Sequence, residues 1–235
     1  MRAYRYIDAL TALFVTSILL SNIASSAKII DWGVSVWGLR LAFDAGTLLF
    51  PVSYILGDVL TEVYGYARAR RVIWIGFGCA ALMGALLWIV ARLPGEAQWQ
   101  QYAGDDAYNA ILGSVGNGAI IVASLLAYLF GAFSNSVILA KMKVWTRGRK
   151  LWTRTIGSTL IGQALDTGLF VLIAAAFGVF PWSLVLSLIV ANYVFKVGIE
   201  AVLTPVTYIV VGILKRAERE DYYDRTTDFT PFCIS

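Results

Sequence analysis

The chain contains no histidine, so the commonest protein metal ligand and the usual general base at neutral pH are both missing. That absence argues against an enzyme, and no metal or cofactor is expected. Its two cysteines, Cys79 inside an apolar run and Cys233 near the C-terminal end, are too few and too far apart for a disulfide framework or a metal cluster. Charge is scarce as well. Acidic and basic residues make up 14% of the 235 positions, where a soluble domain carries roughly 25%. No phosphate-binding loop sequence is found, which speaks against direct use of ATP by this chain. The formal charge of +4 is spread over short basic clusters beside apolar runs. This is the pattern of membrane topology, and no nucleic-acid partner is expected.

What is abundant is apolar surface: 59% of the residues are hydrophobic and the mean hydropathy is +0.71. Such a chain cannot build a polar exterior, and a lipid bilayer supplies the surroundings it needs. Six runs have about the 20 mostly apolar residues needed to cross a hydrocarbon core. They are residues 9–27, 46–64, 72–93, 117–140, 156–179 and 183–214. In lipid each must be helical to satisfy its own backbone, so an all-α protein of six transmembrane helices is predicted. Pro205 is positioned to kink or divide the sixth. The first run reaches residue 27 without a clean cleavage motif and reads as a retained span rather than a signal peptide.

Arg68, Arg70 and Arg71 separate spans two and three, and Lys141, Lys143, Arg147, Arg149, Lys150 and Arg154 separate four and five. Both loops are predicted to be cytoplasmic, and with them both termini. The segment at 31–43, DWGVSVWGLRLAF, alternates around glycines and reads as a short external hairpin or re-entrant piece, or else as an aromatic interface belt. Residues 1–216 form one transmembrane domain, and residues 217–235 read as a polar, solvated cytoplasmic tail. Small residues at four-residue steps, Gly76/Ala80/Gly84 and Ala123/Ala127/Gly131, are helix-packing faces. Oligomeric state stays open, with a homo-oligomer one option.

An ionisable group within a span costs about 2.5 to 3.5 kcal/mol on insertion scales, so each one demands a partner or a cavity. Span two carries Asp58 and Glu62, span five Gln163 and Asp166, and span six the stripe Asn192, Lys196 and Glu200. A rise of 1.5 Å per residue puts Asp58, Asp166, Asn192 and Lys196 near the midplane, around one cavity. Glu62 and Glu200 come closer to the cytoplasmic boundary, where each either pairs with Arg68 or Arg71 or takes a ligand role. Lys196 pairing with Asp58 or Asp166 as a static lock is the competing reading, but the carboxylates outnumber the lysine. Asn22 and Asn135 either join the site as coupling or gating groups with Glu62 and Glu200, or merely bridge helices. With Phe50, Tyr54, Phe170 and Tyr193 available to stack a flat ring, the inventory suits a guanine-like heterocycle.

Three strings, FPVSYILGDVLTEVYGYARARR at 50–71, STLIGQALDTGLF at 158–170 and NYVFKVGIEAVLTPVTY at 192–208, carry a family resemblance. The chain resembles the queuosine precursor transporters, six-helix relatives of vitamin-uptake carriers. The resemblance implies import of 7-cyano-7-deazaguanine or 7-aminomethyl-7-deazaguanine across the inner membrane. It points to Asp58, Gln163, Asp166 and Lys196; Gln163 and Asn192 stand where some relatives have asparagine and aspartate. In the resulting reading Asp166 takes the ring N–H edge and Lys196 or Gln163 the carbonyl. Asp58 balances Lys196 or receives the aminomethyl cation. A carrier working by alternating access competes with a binding subunit that depends on a separate energising module, and with an intramembrane enzyme using a carboxylate pair.

Overall fold

A computed structural model describes residues 4–36, 39–116, 118–178 and 181–232, without the side chains at 29, within 31–44 and within 113–120. The predicted span ends at 117 and 179, the tip of the 31–43 segment and Cys233 lie outside the described residues. Along the chain come α1 (Ile7–Ala27), β1 (Ile29–Val36), β2 (Leu39–Asp44) and a 3-10 turn (Ala45–Leu48). There follow α2 (Phe50–Tyr64), α3 (Tyr66–Val90), α4 (Ala97–Tyr102), α5 (Gly104–Gly116), α6 (Gly118–Trp145), α7 (Leu151–Ala176) and α8 (Trp182–Glu218). The two strands pair antiparallel, from Ile29 opposite Asp44 to Val36 opposite Leu39, with a register break between Asp31 and Ser35.

Among the described residues, five helices are long and apolar enough to cross a membrane: α1, α3, α6, α7 and α8. The second apolar run, 46–64, is divided. Its first part winds into the 3-10 turn, and α2 begins only at Phe50, with Pro51 in the first helical turn where its missing N–H costs nothing. Pro205 leaves α8 unbroken over 37 residues; the neighbouring Thr204 Oγ1 donates to the Glu200 carbonyl at 3.0 Å. The charged stretch after the third predicted span folds into α4 and α5. Glu96 caps α4 by accepting from the Gln98 and Trp99 amides, and α5 lies against α1 and α3, with Tyr108 donating to the Leu87 carbonyl at 3.1 Å.

Polarity runs from outside in. Leu13, Leu82, Leu86, Leu186, Val202 and Ile209 are each more than half exposed, while Asp58, Glu62, Arg154, Gln163, Asp166 and Glu200 are buried. An apolar solvent requires that inversion.

Helices α6 and α7 form the most extensive helix pair. They cross at Gly131 and Gly162: a Cβ on Gly131 would come within 2.7 Å of Asp166 Cβ, and one on Gly162 within 2.9 Å of Asn135 Cβ. The absent side chains therefore set where Asp166 and Asn135 stand. Gly162→Val is expected to force the helices apart and cost about 1–3 kcal/mol; an unchanged melting temperature in detergent would show that they do not meet there.

Gly65, at φ +84, makes the reversal between α2 and α3, and any Cβ there would collide with the ring of Tyr222 in the tail. The tail packs against the bundle. Tyr222 N–H donates to the Val63 carbonyl at 3.2 Å, Asp224 accepts from the Tyr66 amide at 3.1 Å, and Trp74 Nε1 donates to the Pro231 carbonyl at 2.8 Å. Buried Arg70 donates to the carbonyls of Asp228 and Thr230. Charge composition reads this segment as solvated, yet its carbonyls satisfy donors that α3 would otherwise bury unpaired. The chain ends also meet. Glu218 accepts from the amides of Arg5 and Tyr6 and from the Tyr64 hydroxyl, and Tyr4 donates to Glu220.

Candidate functional site

Helices α2, α7 and α8 each contribute a polar stripe to a common interior. Phe50, Tyr54 and Asp58 recur every four residues on α2, Gln163 and Asp166 lie three apart on α7, and Lys196 and Glu200 four apart on α8. Helical periodicity puts each set on one face. Lys196 Nζ lies 2.8 Å from Asp166 Oδ2 and 4.2 Å from the Phe50 ring centroid. The Phe50 and Tyr54 rings stack at 6.0 Å. A small cavity opens beside them, lined by Thr47, Phe50, Tyr54, Gln163, Lys196 and Glu200, with Pro51 and Ile199. Gln163 is only 1% exposed, and its Oε1 has no hydrogen-bond partner among the described residues. A buried acceptor left open beside an ion pair and two rings is equipped to receive a flat, polar ligand.

A second, mostly apolar pocket also touches Phe50 and Tyr54, which line both. Ser53 Oγ and Asn135 Oδ1 are its buried polar atoms without partners. Asn135 Nδ2 donates to Asp58 Oδ1 at 2.7 Å. Glu200 accepts from the Thr159 hydroxyl of α7. Lys196 thus pairs with Asp166 and not with Asp58, because Asp58 faces α6 through Asn135.

At the end of the bundle where the chain termini meet, Glu62 sits fully buried among three cations. Arg154 grips it with Nε and Nη2, both at 2.8 Å, Lys215 Nζ lies at 2.6 Å and Lys143 Nζ at 3.5 Å. Asp221 bridges the two lysines at 2.5 and 2.8 Å. Burial pushes the Asp221 carboxyl up, but the hydrogen bonds from Lys143 and Lys215 outweigh that and hold it below the usual carboxylate range. Neither arginine proposed from the sequence reaches Glu62: Arg68 donates to the Tyr64 carbonyl, and Arg71 is exposed. The expectation of a hydrated boundary is corrected for Glu200 too, which is 4% exposed.

Other candidates lie outside the cavity. Asn192 donates to the Leu188 carbonyl of its own helix at 3.0 Å, Tyr193 to the Leu160 carbonyl at 3.1 Å, and Phe170 packs with Val171, Ala175 and Val185. Asn22 donates to the Ile18 carbonyl and accepts from Ser124 at 3.2 Å, a bridge between α1 and α6. Sequence reasoning passed over Lys143, Arg154 and Lys215 as topology markers. The signal that could have found them is the four-residue stripe itself, which runs from Gly131 through Asn135 and Leu139 to Lys143 on α6, and from Asp166 back through Gly162 and Ser158 to Arg154 on α7.

Residues 44–210, which include every residue lining the cavity, match the model of a family described as "Putative vitamin uptake transporter". A Bacillus subtilis (strain 168) protein named "Probable queuosine precursor transporter" is 26% identical over 189 residues, covering 79% of this chain and 78% of that protein. The "Queuosine precursor transporter" of Escherichia coli (strain K12) is 26% identical over 210 residues, covering 86% and 87%. No solved structure matches the chain significantly. Membrane-length apolar helices around a buried polar cavity agree with the family match, and this chain is a multi-pass membrane protein belonging to the vitamin uptake transporter family.

Proposed function

We propose that this protein is an inner-membrane carrier that imports queuosine precursors, 7-cyano-7-deazaguanine and 7-aminomethyl-7-deazaguanine, by alternating access to the cavity between α2, α7 and α8. The observation that carries this reading is the buried Lys196–Asp166 pair beside the open Gln163 acceptor and the stacked Phe50–Tyr54 rings. A deazaguanine offers an amidine-like N–H edge, a ring carbonyl and a flat face. Entering between the paired charges, it presents the N–H edge to Asp166 and the carbonyl to Lys196, with Gln163 accepting from the exocyclic amine and the rings stacking. Asp58 does not line the cavity and accepts from Asn135, so the charge of Lys196 is balanced by Asp166 instead.

Six crossings fit this reading, since the 3-10 turn and α2 together rise about 30 Å, the thickness of the hydrocarbon core. The basic ends of α6 and α7 and both chain termini then face the cytoplasm, with the strand pair outside.

Purified protein reconstituted alone in liposomes is expected to take up labelled 7-cyano-7-deazaguanine saturably, with the aminomethyl precursor competing and guanine competing poorly. Binding without uptake would identify a subunit that depends on an energising module, and chemical conversion of the precursor would identify an enzyme.

A further inference from the structure

The precursor cavity takes its walls from the 3-10 turn, α2, α7 and α8, whereas the second pocket lies among α1, α2, α3 and α6, so the two have only α2 in common. The second is the larger, and no acidic or basic residue lines it. Phe14, Phe50 and Tyr54 form its walls with Ile18, Ile73 and Ala132. Two of its lining side chains carry an unmet polar atom. Asn135 is 3% exposed and Ser53 5%, and neither Asn135 Oδ1 nor Ser53 Oγ has a hydrogen-bond partner among the described residues. Tyr128 and Ser136, which also line the pocket, are already engaged: Tyr128 donates to the Ile73 carbonyl at 3.0 Å, and Ser136 accepts from Thr61 at 3.1 Å. Chemistry fixes the orientation of Asn135. Its Nδ2 donates to Asp58 Oδ1 at 2.7 Å, and turning the amide over would set an oxygen against that carboxylate, so Oδ1 is the atom left for the pocket. Ser53 departs from the habit of hydroxyls within helices. Thr11 on α1 and Thr61 on α2 donate to the carbonyl four residues back, at 2.7 and 2.9 Å, and Ser53 makes no such bond. Buried polar atoms are nearly always paired, so two open ones in a single apolar pocket mark a place for a ligand.

We infer that the pocket among α1, α2, α3 and α6 is a second binding site, for an uncharged, flat ring system that carries an N–H donor. The amide oxygen of Asn135 can only accept, so the ligand must bring a donor. The Ser53 hydroxyl donates or accepts, and so takes a second polar atom of either kind. With no charged side chain lining the pocket, an ion entering it would leave water without a partner. Phe14, Phe50 and Tyr54 suit an aromatic body. Water would pair with the two polar atoms but gain nothing from those apolar walls, whereas a flat heteroaromatic uses both. Phe50 and Tyr54 also line the precursor cavity, so a ligand here touches the two rings assigned above to stacking the precursor. The site does not depend on the carrier reading, because binding here needs no transport.

Indole is the simplest probe, two fused rings with one N–H, and indene keeps the rings without the donor. Equilibrium dialysis against the protein in lipid nanodiscs, with partitioning into protein-free nanodiscs subtracted, is expected to show saturable binding of indole about tenfold tighter than that of indene, the worth of one hydrogen bond to a buried acceptor. A filling variant locates the site. At Gly57, which lines the second pocket and not the precursor cavity, a Cβ would meet only Phe14, at an ordinary 3.7 Å, so Gly57→Leu has room to fold and to fill the pocket. It should abolish the saturable binding. Ala132→Leu, which fills the same pocket from α6, should do likewise and serves if the first variant proves unstable. No saturable binding of indole, or equal binding of indole and indene, would mean that water alone meets Asn135 and Ser53, and overturns the site. A preference for indole that survives in either folded variant places the probe elsewhere and overturns it as well. Precursor uptake enters neither result, so the carrier reading stands or falls separately.

Discussion

Glu62→Ala is expected to leave little folded protein, with a loss on the order of 3–5 kcal/mol, the cost of removing one partner from a buried ion pair. A domain is stable by only about 5–15 kcal/mol in total. Three cations converge on this one carboxylate from α6, α7 and α8, and without it Asp221 is their only acidic partner among the described residues. The damage reaches the tail too, because Lys143 also donates to the Glu62 and Tyr222 carbonyls at 2.5 and 2.8 Å. Glu62→Gln keeps an acceptor for Arg154 but removes the charge, and should fall between wild type and alanine. Size-exclusion profiles and melting in detergent read the effect. A monodisperse Glu62→Ala protein that melts as wild type does would show that the cluster contributes nothing to the fold.

Asp166→Asn and Lys196→Ala are each expected to abolish measurable precursor uptake while the protein still inserts. A charge-assisted hydrogen bond is worth roughly 1.5–3 kcal/mol, so losing one weakens precursor binding by about tenfold to a hundredfold. Each single variant also strands a buried charge. The neutral double variant Asp166→Asn/Lys196→Gln distinguishes a binding site from a static lock. A lock built of matched neutral side chains still holds the helices, so near-normal uptake by the double variant would remove Asp166 and Lys196 from the site. Uptake abolished in a protein that melts normally is the result the cavity geometry supports, since only a ligand needs both charges.

Part of this site could be read directly from residue order. Asp166 and Lys196 are costly in lipid at any depth near the midplane, and a single lysine among acids must find one of them. Phe50 and Tyr54 lie one turn apart and share a face with Asp58 by periodicity alone. Asn192, Tyr193 and Phe170 were equally good candidates by depth and chemistry. Which way a helix is rotated against its neighbours is a property of contacts between helices, and those turn Tyr193 toward the Leu160 carbonyl rather than into the cavity.

Composition and periodicity by themselves determined that this is a membrane protein of apolar helices with a small set of misplaced charges, because each of those facts follows from the free energy of one chain segment in lipid. Only the tertiary structure decided how the charges are shared. It gave Glu62 three cations drawn from distant parts of the chain, gave Asp166 the lysine, and left Asp58 to Asn135 and Glu200 to Thr159. Partner choice of that kind depends on the close approach of α6 and α7 at Gly131 and Gly162, and on a tail folded back over Gly65. Those are distances through space that no local pattern encodes.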